Sequence, residues 1–261
     1  MMSLSDRLKS ILLACGVFGL AACGSGPVVD PSTFDAEVQR LVDEGDKYGE
    51  VFIALKDRRP KLYSDFRAIA LEEFVRGRSA RDAGYVAGMR MRSIFIDEIL
   101  SLSRGASDEH VKDMIDVMIA TYEHLNTEDP ADCVRNIDGL PLQKVTDFPY
   151  DLRQRETQLI IDLLNAPQTL ANRRAASEKE VTNWMLNVST LEPEVAEMLD
   201  LMAQEERGGE TDAKICTGMI TLYKRLSYKR DASRGTLFRG MALMALEQQQ
   251  LQRIAQAEDA A

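Results

Sequence analysis

The spacing of apolar residues restricts this chain of 261 residues to helices. Over residues 107–126 the apolar side chains recur at intervals of three and four, which places them on one face of an α-helix. They are Val111, Met114, Ile115, Met118, Ile119, Tyr122 and Leu125. Ser107 precedes this run as an N-cap, and Asp108 and Glu109 follow in the first turn, where the helix dipole favours anions. Because no stretch alternates apolar and polar residues for long, the sequence predicts an all-α, bundle-like fold.

Other segments carry the start signals of helices. Ser177 and Glu180 form a capping-box pattern ahead of apolar residues at helical spacing, which are Val181, Trp184, Met185 and Val188. Further along the chain, a second apolar face consists of Cys216, Met219, Tyr223 and Leu226. Pro193 and the pair Asp129-Pro130 are typical of first turns. From Glu247 onwards the sequence is of low complexity, so we expect residues 247–261 to fray as a tail.

The first residues have the organisation of an export signal. Arg7 and Lys9 give a positive start, and residues 10–22 follow without a charge. That uncharged run is too short to cross about 30 Å of hydrocarbon, which requires about 20 residues in a helix. A positive start and a short apolar region ending in small residues are typical of a signal peptide, here residues 1–22.

The end of this segment, Leu20-Ala21-Ala22-Cys23-Gly24, resembles the lipobox of bacterial lipoproteins. The resemblance implies that Cys23 receives fatty chains such as palmitate and becomes the mature N-terminus, with residues 23–31 as a lipidated tether. A rival match at residues 12–15 has almost no apolar region before it. Because glycine, not aspartate, follows Cys23, the resemblance implies an outer-membrane lipoprotein that faces the periplasm.

Two cysteines, Cys133 and Cys216, lie beyond the lipobox. An oxidising compartment favours a disulfide between them, while two separate buried thiols are the alternative. Such a bridge would span residues 137–150, the Gly/Pro-rich stretch that most resembles a domain boundary. We therefore predict one helical domain over residues 32–246.

Composition and motifs argue against several functions. The net charge of −10 disfavours nucleic acid as a partner. His110 and His124 lie about 21 Å apart on one predicted helix without ligand-spaced neighbours, so we expect surface histidines, no metal and no cofactor. The chain has no phosphate-binding loop or nucleophile elbow, and its adjacent carboxylates, such as Glu72-Glu73, are typical of a helix surface. Enzymatic activity is therefore unsupported.

Five arginines are concentrated in the second quarter of the chain: Arg76, Arg78, Arg81, Arg90 and Arg92. They are a candidate patch for an anionic partner or a glycan. The alternative is internal pairing with Asp and Glu. A second group of basic residues lies between residues 224 and 239. It could form a docking patch, or its members could simply occupy the last turn of a helix, where the helix dipole favours cations.

These features together predict a lipid-anchored helical protein of the bacterial envelope, without catalytic activity, that binds or scaffolds an envelope protein or glycan. An envelope hydrolase with a single glutamate in a helical cleft, acting on cell-wall glycan, is one alternative. Another follows from the twelve methionines, because a methionine-lined cavity would suit a carrier of a small apolar ligand.

Overall fold

The computed structural model describes residues 31–45, 47–76, 86–87, 90–91, 95, 98–138, 140, 142–143, 148–166, 173–202 and 209–259. Within these ranges the chain forms helices, turns and loops, and no strand. The predicted all-α fold class is thus confirmed. The predicted signal peptide, Cys23 and most of the tether lie outside the described residues.

The chain divides into two compact units, residues 1–92 and 93–261. The first contains three mutually packed helices: α1 (Pro31–Asp43), α2 (Lys47–Arg58) and α3 (Pro60–Val75). Phe34, Phe52, Phe66 and Tyr63 form an aromatic cluster between them, with ring centroids 5.3–6.2 Å apart. Our prediction of one helical domain over residues 32–246 stays a prediction.

The second unit contains seven further helices with bounds in the described residues. They are α4 (Asp108–Glu128), α5 (Pro130–Ile137), α6 (Tyr150–Asn165), α7 (Glu178–Ser189), α8 (Pro193–Met202), α9 (Glu210–Ser227) and α10 (Asp231–Asp259). α4 packs against α5, α6, α9 and α10, so it is the central element of this unit. Its predicted inner face is buried at Val111, Met114 and Leu125.

The helix starts follow the predicted signals. Ser107 caps α4 by accepting a hydrogen bond from the His110 amide at 3.0 Å. Ser177 and Glu180 form both hydrogen bonds of a capping box at the start of α7. The backbone hydrogen bond from Ser177 holds the pKa of the Glu180 carboxyl below its ordinary value. Asp129 caps α5, and its side chain accepts from the Ala131 amide at 3.2 Å.

Two features of the second unit depend on contacts between distant residues. Gly218 lies where α9 meets α8, and a methyl group there would be 2.4 Å from Met198 Cβ. Arg239 of α10 is buried and donates to the carbonyl of Ala106 at 2.8 Å and to Asp108 Oδ1 at 2.7 Å. The first residues of α4 are thereby joined to α10.

The C-terminal helix continues beyond the position at which we expected the ordered domain to end. α10 extends to Asp259, so the backbone of most of the predicted tail is helical, and the expected fraying stays a prediction. Among the described residues, no helix combines the length and apolar character needed to cross a bilayer.

Candidate functional site: a methionine-lined cavity

The second unit encloses a cavity of about 400 Å³ between its helices. Within the described part of the chain, its lining includes six methionines: Met114, Met118, Met185, Met219, Met241 and Met244. Met114 is buried, whereas the other five are half-exposed, so the cavity opens to solvent. A cavity of this volume is within the range of small-molecule sites, and thioether side chains adapt to irregular apolar ligands.

Few polar side chains reach this cavity. Thr121, Tyr122, Asn136, Glu156 and Tyr223 are the polar residues of its lining, and most of the others are aliphatic or sulfur-containing. The rings of Tyr122 and Tyr223 lie 5.9 Å apart. Burial raises the pKa of the Tyr223 hydroxyl to about 12, so this group stays neutral at physiological pH. The lining therefore combines an apolar surface with a few hydrogen-bonding groups.

A disulfide between Cys133 and Cys216 fixes one wall of the cavity. The structure pairs the two predicted cysteines, with their Cα atoms 6.1 Å apart, and buries both side chains. Asn136 lies one helical turn after Cys133, and Met219 lies one turn after Cys216. The bridge thus sets the position of α5 relative to α9 beside the cavity.

Glu156 supplies the carboxylate of the cavity lining, and its side chain is largely exposed. A glycosidase needs two carboxyl groups at a controlled separation, with the acid commonly kept protonated by burial. Because Glu156 is exposed, the described lining contains no buried carboxyl group of this kind. The lining is therefore better suited to binding an apolar ligand than to hydrolysing a glycan.

The predicted arginine patch contains internal ion pairs. Arg76 lies 2.7 Å from Glu73, a side chain that is only 1% exposed, and Arg90 lies 3.0 Å from the same carboxylate. Arg76 also pairs at 2.5 Å with Glu72, which lies four residues earlier on the same helix. Arg78, Arg81 and Arg92 lie outside the described residues. For Arg76 and Arg90, the geometry thus favours internal pairing over a free anionic-partner site.

Members of the second basic group also pair within the protein. Lys224 lies 2.6 Å from Glu123, and Arg225 pairs with Glu192. Arg234 and Arg239 are buried, and both donate to backbone carbonyls. These four side chains have structural contacts, which weakens the case for a basic docking patch.

The two histidines differ from the surface positions that we predicted. Both side chains are half-buried, and the buried atoms His110 Nδ1 and His124 Nε2 have no hydrogen-bond partner in the part of the chain that the structure describes. The His124 ring lies 5.2 Å from that of Phe148, between α4 and the segment that leads into α6. The prediction of simple surface histidines is therefore wrong, because tertiary packing covers one edge of each ring. Among the residues that the structure describes, no group of three or more His, Cys, Asp or Glu side chains could hold a metal ion.

The sequence identified part of the cavity lining. Met114 and Met118 belong to the predicted inner face of α4, and Met185 and Met219 lie on predicted apolar faces of other helices. Met241, Met244, Asn136 and Glu156 were not singled out. The abundance of methionine was the available signal, but helical periodicity does not tell a filled core from a lined cavity.

No protein-family model matches this chain, and neither do the curated proteins or the solved structures with which it was compared. The function is therefore argued from the site alone.

Proposed function

We propose that this chain is a lipid-anchored envelope protein whose second unit binds a small apolar ligand. The observation that carries the proposal is the set of six methionines around a cavity of about 400 Å³. A cavity of this size, lined by flexible thioethers and accompanied by few polar groups, has the composition of a ligand site.

The membrane anchor is the second part of the proposal. The lipobox-like sequence at Cys23 supports acylation, and two or three fatty chains suffice for stable anchoring. A tether over residues 23–31 would hold the start of α1 within about 30 Å of the membrane even when fully extended. An apolar ligand is sparingly soluble in water, so a binding protein held at a bilayer would have direct access to its source. The outer membrane, facing the periplasm, is the proposed location.

Binding is tested with a neutral fluorescent apolar probe, N-phenyl-1-naphthylamine, titrated into the purified protein. We expect saturable binding to the wild type and at least tenfold weaker binding to Ala245→Phe, because Ala245 lines the cavity and a phenyl group would fill it. Ala232→Phe is the matched control, because this exposed residue of α10 is outside the lining and should leave the affinity unchanged. Equal binding by both variants, or no saturable binding to the wild type, would refute the carrier hypothesis.

The anchor is tested separately in cells. We expect the wild-type protein to sediment with membranes and its mature form to carry the mass of fatty chains. Cys23→Ser should lose both properties, whereas Cys15→Ser, the control in the apolar region, should keep them. A Cys23→Ser protein that is still trimmed and membrane-bound like the wild type would show that the anchor is wrongly assigned.

A further inference from the structure

Tyr223 is a buried tyrosine whose hydroxyl group has no hydrogen-bond partner in the part of the chain that the structure describes. The residue borders the cavity and is only 9% exposed. Burial is the cause of its raised pKa, with no contribution from a hydrogen bond or a nearby charge. Tyr63, a buried tyrosine of the first unit, has the more usual arrangement, because its hydroxyl donates to Asp35 Oδ1 at 2.7 Å.

The Tyr223 hydroxyl is accessible from the cavity. Trp184 Nε1 and Asn126 Oδ1 also have no partner among the described residues, but these atoms are sealed inside the protein. The Tyr223 hydroxyl is not sealed in this way, and its residue lines a space that opens to solvent. Water that enters from solvent can satisfy such a group. A ligand that excludes water from this position must supply a hydrogen-bonding atom itself, because an unpaired hydroxyl in apolar surroundings is unfavourable.

Contacts of α9 with its neighbours hold Tyr223 in position. Its ring centroid lies 5.9 Å from that of Tyr122 on α4, and Nζ of the next residue, Lys224, lies 2.6 Å from the Glu123 carboxylate. Two turns earlier, the disulfide at Cys216 joins α9 to α5. A tyrosine side chain on a fixed helix loses little conformational freedom when it forms a hydrogen bond, so this hydroxyl is preorganised for binding.

The chemistry of the lining restricts the atom that pairs with Tyr223. A neutral phenol donates its O–H proton, so the partner must be an acceptor such as a carbonyl oxygen. No lysine, arginine or histidine belongs to the described lining, so a carboxylate would leave water without gaining a cationic partner. An uncharged oxygen acceptor avoids this cost.

We infer that the ligand is an apolar molecule with an uncharged oxygen acceptor, as in a ketone or an ester, and that this oxygen accepts a hydrogen bond from the Tyr223 hydroxyl. This inference rests on the proposed function and specifies its ligand class. Met219 lies one turn before Tyr223 on α9 and also borders the cavity, so its thioether would contact the hydrocarbon next to the acceptor. The hydrogen bond would orient a ligand that the methionines alone would hold without a preferred orientation.

The test compares three competitors that share a nonyl chain: 2-undecanone, its alkene analogue 2-methyl-1-undecene, and decanoate. Each displaces N-phenyl-1-naphthylamine, whose own affinity is measured for every variant. We expect Tyr223→Phe to bind the ketone about tenfold more weakly than the wild type does, and the alkene equally well, because only the ketone accepts the hydrogen bond that is lost. We expect decanoate to bind the wild type about tenfold more weakly than the ketone, or more weakly still.

Tyr228→Phe is the matched control, because Tyr228 is 80% exposed at the end of α9 and lies outside the lining. It should leave all three affinities unchanged. A second readout, which does not depend on competition, is the infrared spectrum of bound 2-undecanone labelled with carbon-13 at its carbonyl group. We expect the carbonyl stretch at a lower wavenumber than in hexane, with this shift lost in Tyr223→Phe and kept in Tyr228→Phe.

The outcomes separate this inference from the proposed function. If Tyr223→Phe changes the affinities for the ketone and the alkene equally, or leaves the carbonyl stretch where it is in the wild type, Tyr223 does not pair with the ligand and this inference is wrong. If decanoate binds the wild type as tightly as the ketone does, the restriction to an uncharged acceptor is wrong. In each of these cases the apolar site itself stands. If neither the probe nor any of the three compounds binds the wild type, the proposed function fails.

Discussion

A single glycine determines how closely two helices of the second unit approach each other. A methyl group on Gly218 would lie 2.4 Å from Met198 Cβ and 2.5 Å from the carbonyl oxygen of Glu194, so α8 must move if a side chain is present. Intrinsic helix propensity favours alanine over glycine by about 1 kcal/mol. Helix propensity would make alanine stabilising at this position, whereas the steric contact of its methyl group with α8 would be destabilising. We expect the steric contact to have the larger effect on stability.

We therefore expect Gly218→Ala to lower the free energy of unfolding by about 1–3 kcal/mol. Urea denaturation followed by circular dichroism measures this change. A variant that gains about 1 kcal/mol, as propensity alone predicts, would show that the helices are not in close contact at this position.

Asp35 of the first unit forms a hydrogen bond and ion pairs that lower its pKa. Tyr63 donates a hydrogen bond to Asp35 Oδ1 at 2.7 Å, and Arg67 donates to Oδ2 at 3.0 Å. Partial burial by itself raises the pKa of Asp35, but the Tyr63 hydrogen bond and the charges of Arg67 and Lys56 outweigh it, so the pKa lies below its ordinary value. A lowered pKa means that the carboxylate stabilises the fold above the unfolded pKa and that this contribution is lost as the pH falls through the folded pKa.

We expect Asp35→Asn to be less stable than the wild type at pH 7, with the difference shrinking below about pH 4. Amide hydrogen exchange in α1 and α3, measured for both proteins between pH 7 and about pH 4, gives this difference in stability. Asp65→Asn removes the exposed Lys61–Asp65 pair and should have little effect at any pH. A difference that grows towards acid would contradict the sign of the shift.

At the scale of elements, α10 is held to the start of α4 by a buried cation. The Arg239 side chain is 3% exposed and donates to Ser103 O, Ala106 O and Asp108 Oδ1. These carbonyls lie in the turn that precedes α4 and at the end of the helical residues 98–103. The guanidinium therefore donates hydrogen bonds to these two carbonyl oxygens, which lie where one helix has ended and the next has not yet begun.

We expect Arg239→Met to lower the free energy of unfolding by about 2–4 kcal/mol. That is somewhat less than the 3–5 kcal/mol typical of breaking a fully buried pair, because Asp108 is 28% exposed. Arg225→Met is a suitable control, since Arg225 pairs with Glu192 at the surface and should cost no more than about 1 kcal/mol. Chemical denaturation measures the free energy of unfolding of both variants. Equal losses of stability would show that Arg239 contributes no more than an ion pair at the surface.

At the scale of the whole molecule, the covalent link between Cys133 and Cys216 is the main constraint on the unfolded chain. The two cysteines are separated by 83 residues. In the chain-entropy model, closing such a loop stabilises the folded state by about 4–5 kcal/mol. The bridge also positions Asn136 and Met219, so its loss should affect ligand binding as well as stability.

We expect the double variant Cys133→Ser/Cys216→Ser to unfold at a clearly lower denaturant concentration and to bind the apolar probe more weakly. Treatment with a reductant should reproduce both effects in the wild type and change nothing further in the double variant, which serves as the control. An unchanged unfolding midpoint after verified reduction would exclude a stabilising role for the disulfide.

The sequence by itself determined the local structure of this protein. Ser177 and Glu180 specify the start of α7, and Asp129-Pro130 that of α5, because capping requires only residues within one turn. The spacing of Val111, Met114 and Leu125 identifies the buried face of α4 for the same local reason. The cysteine pair was predictable as well, since Cys133 and Cys216 are the two cysteines beyond the lipobox-like segment and leave one pairing between them.

Only the tertiary structure decided which helix faces meet and whether they fill the space between them. Met118 and Met219 are far apart in sequence, and periodicity assigns each to an apolar face without indicating that both border one cavity. Likewise, Arg239 belongs to a basic cluster in the sequence but is buried, because Asp108 and two carbonyls from a distant turn surround it. Local sequence determines where each helix forms and which of its faces is apolar. A cavity or a buried charge depends instead on residues that are distant in sequence and come together only when the chain folds.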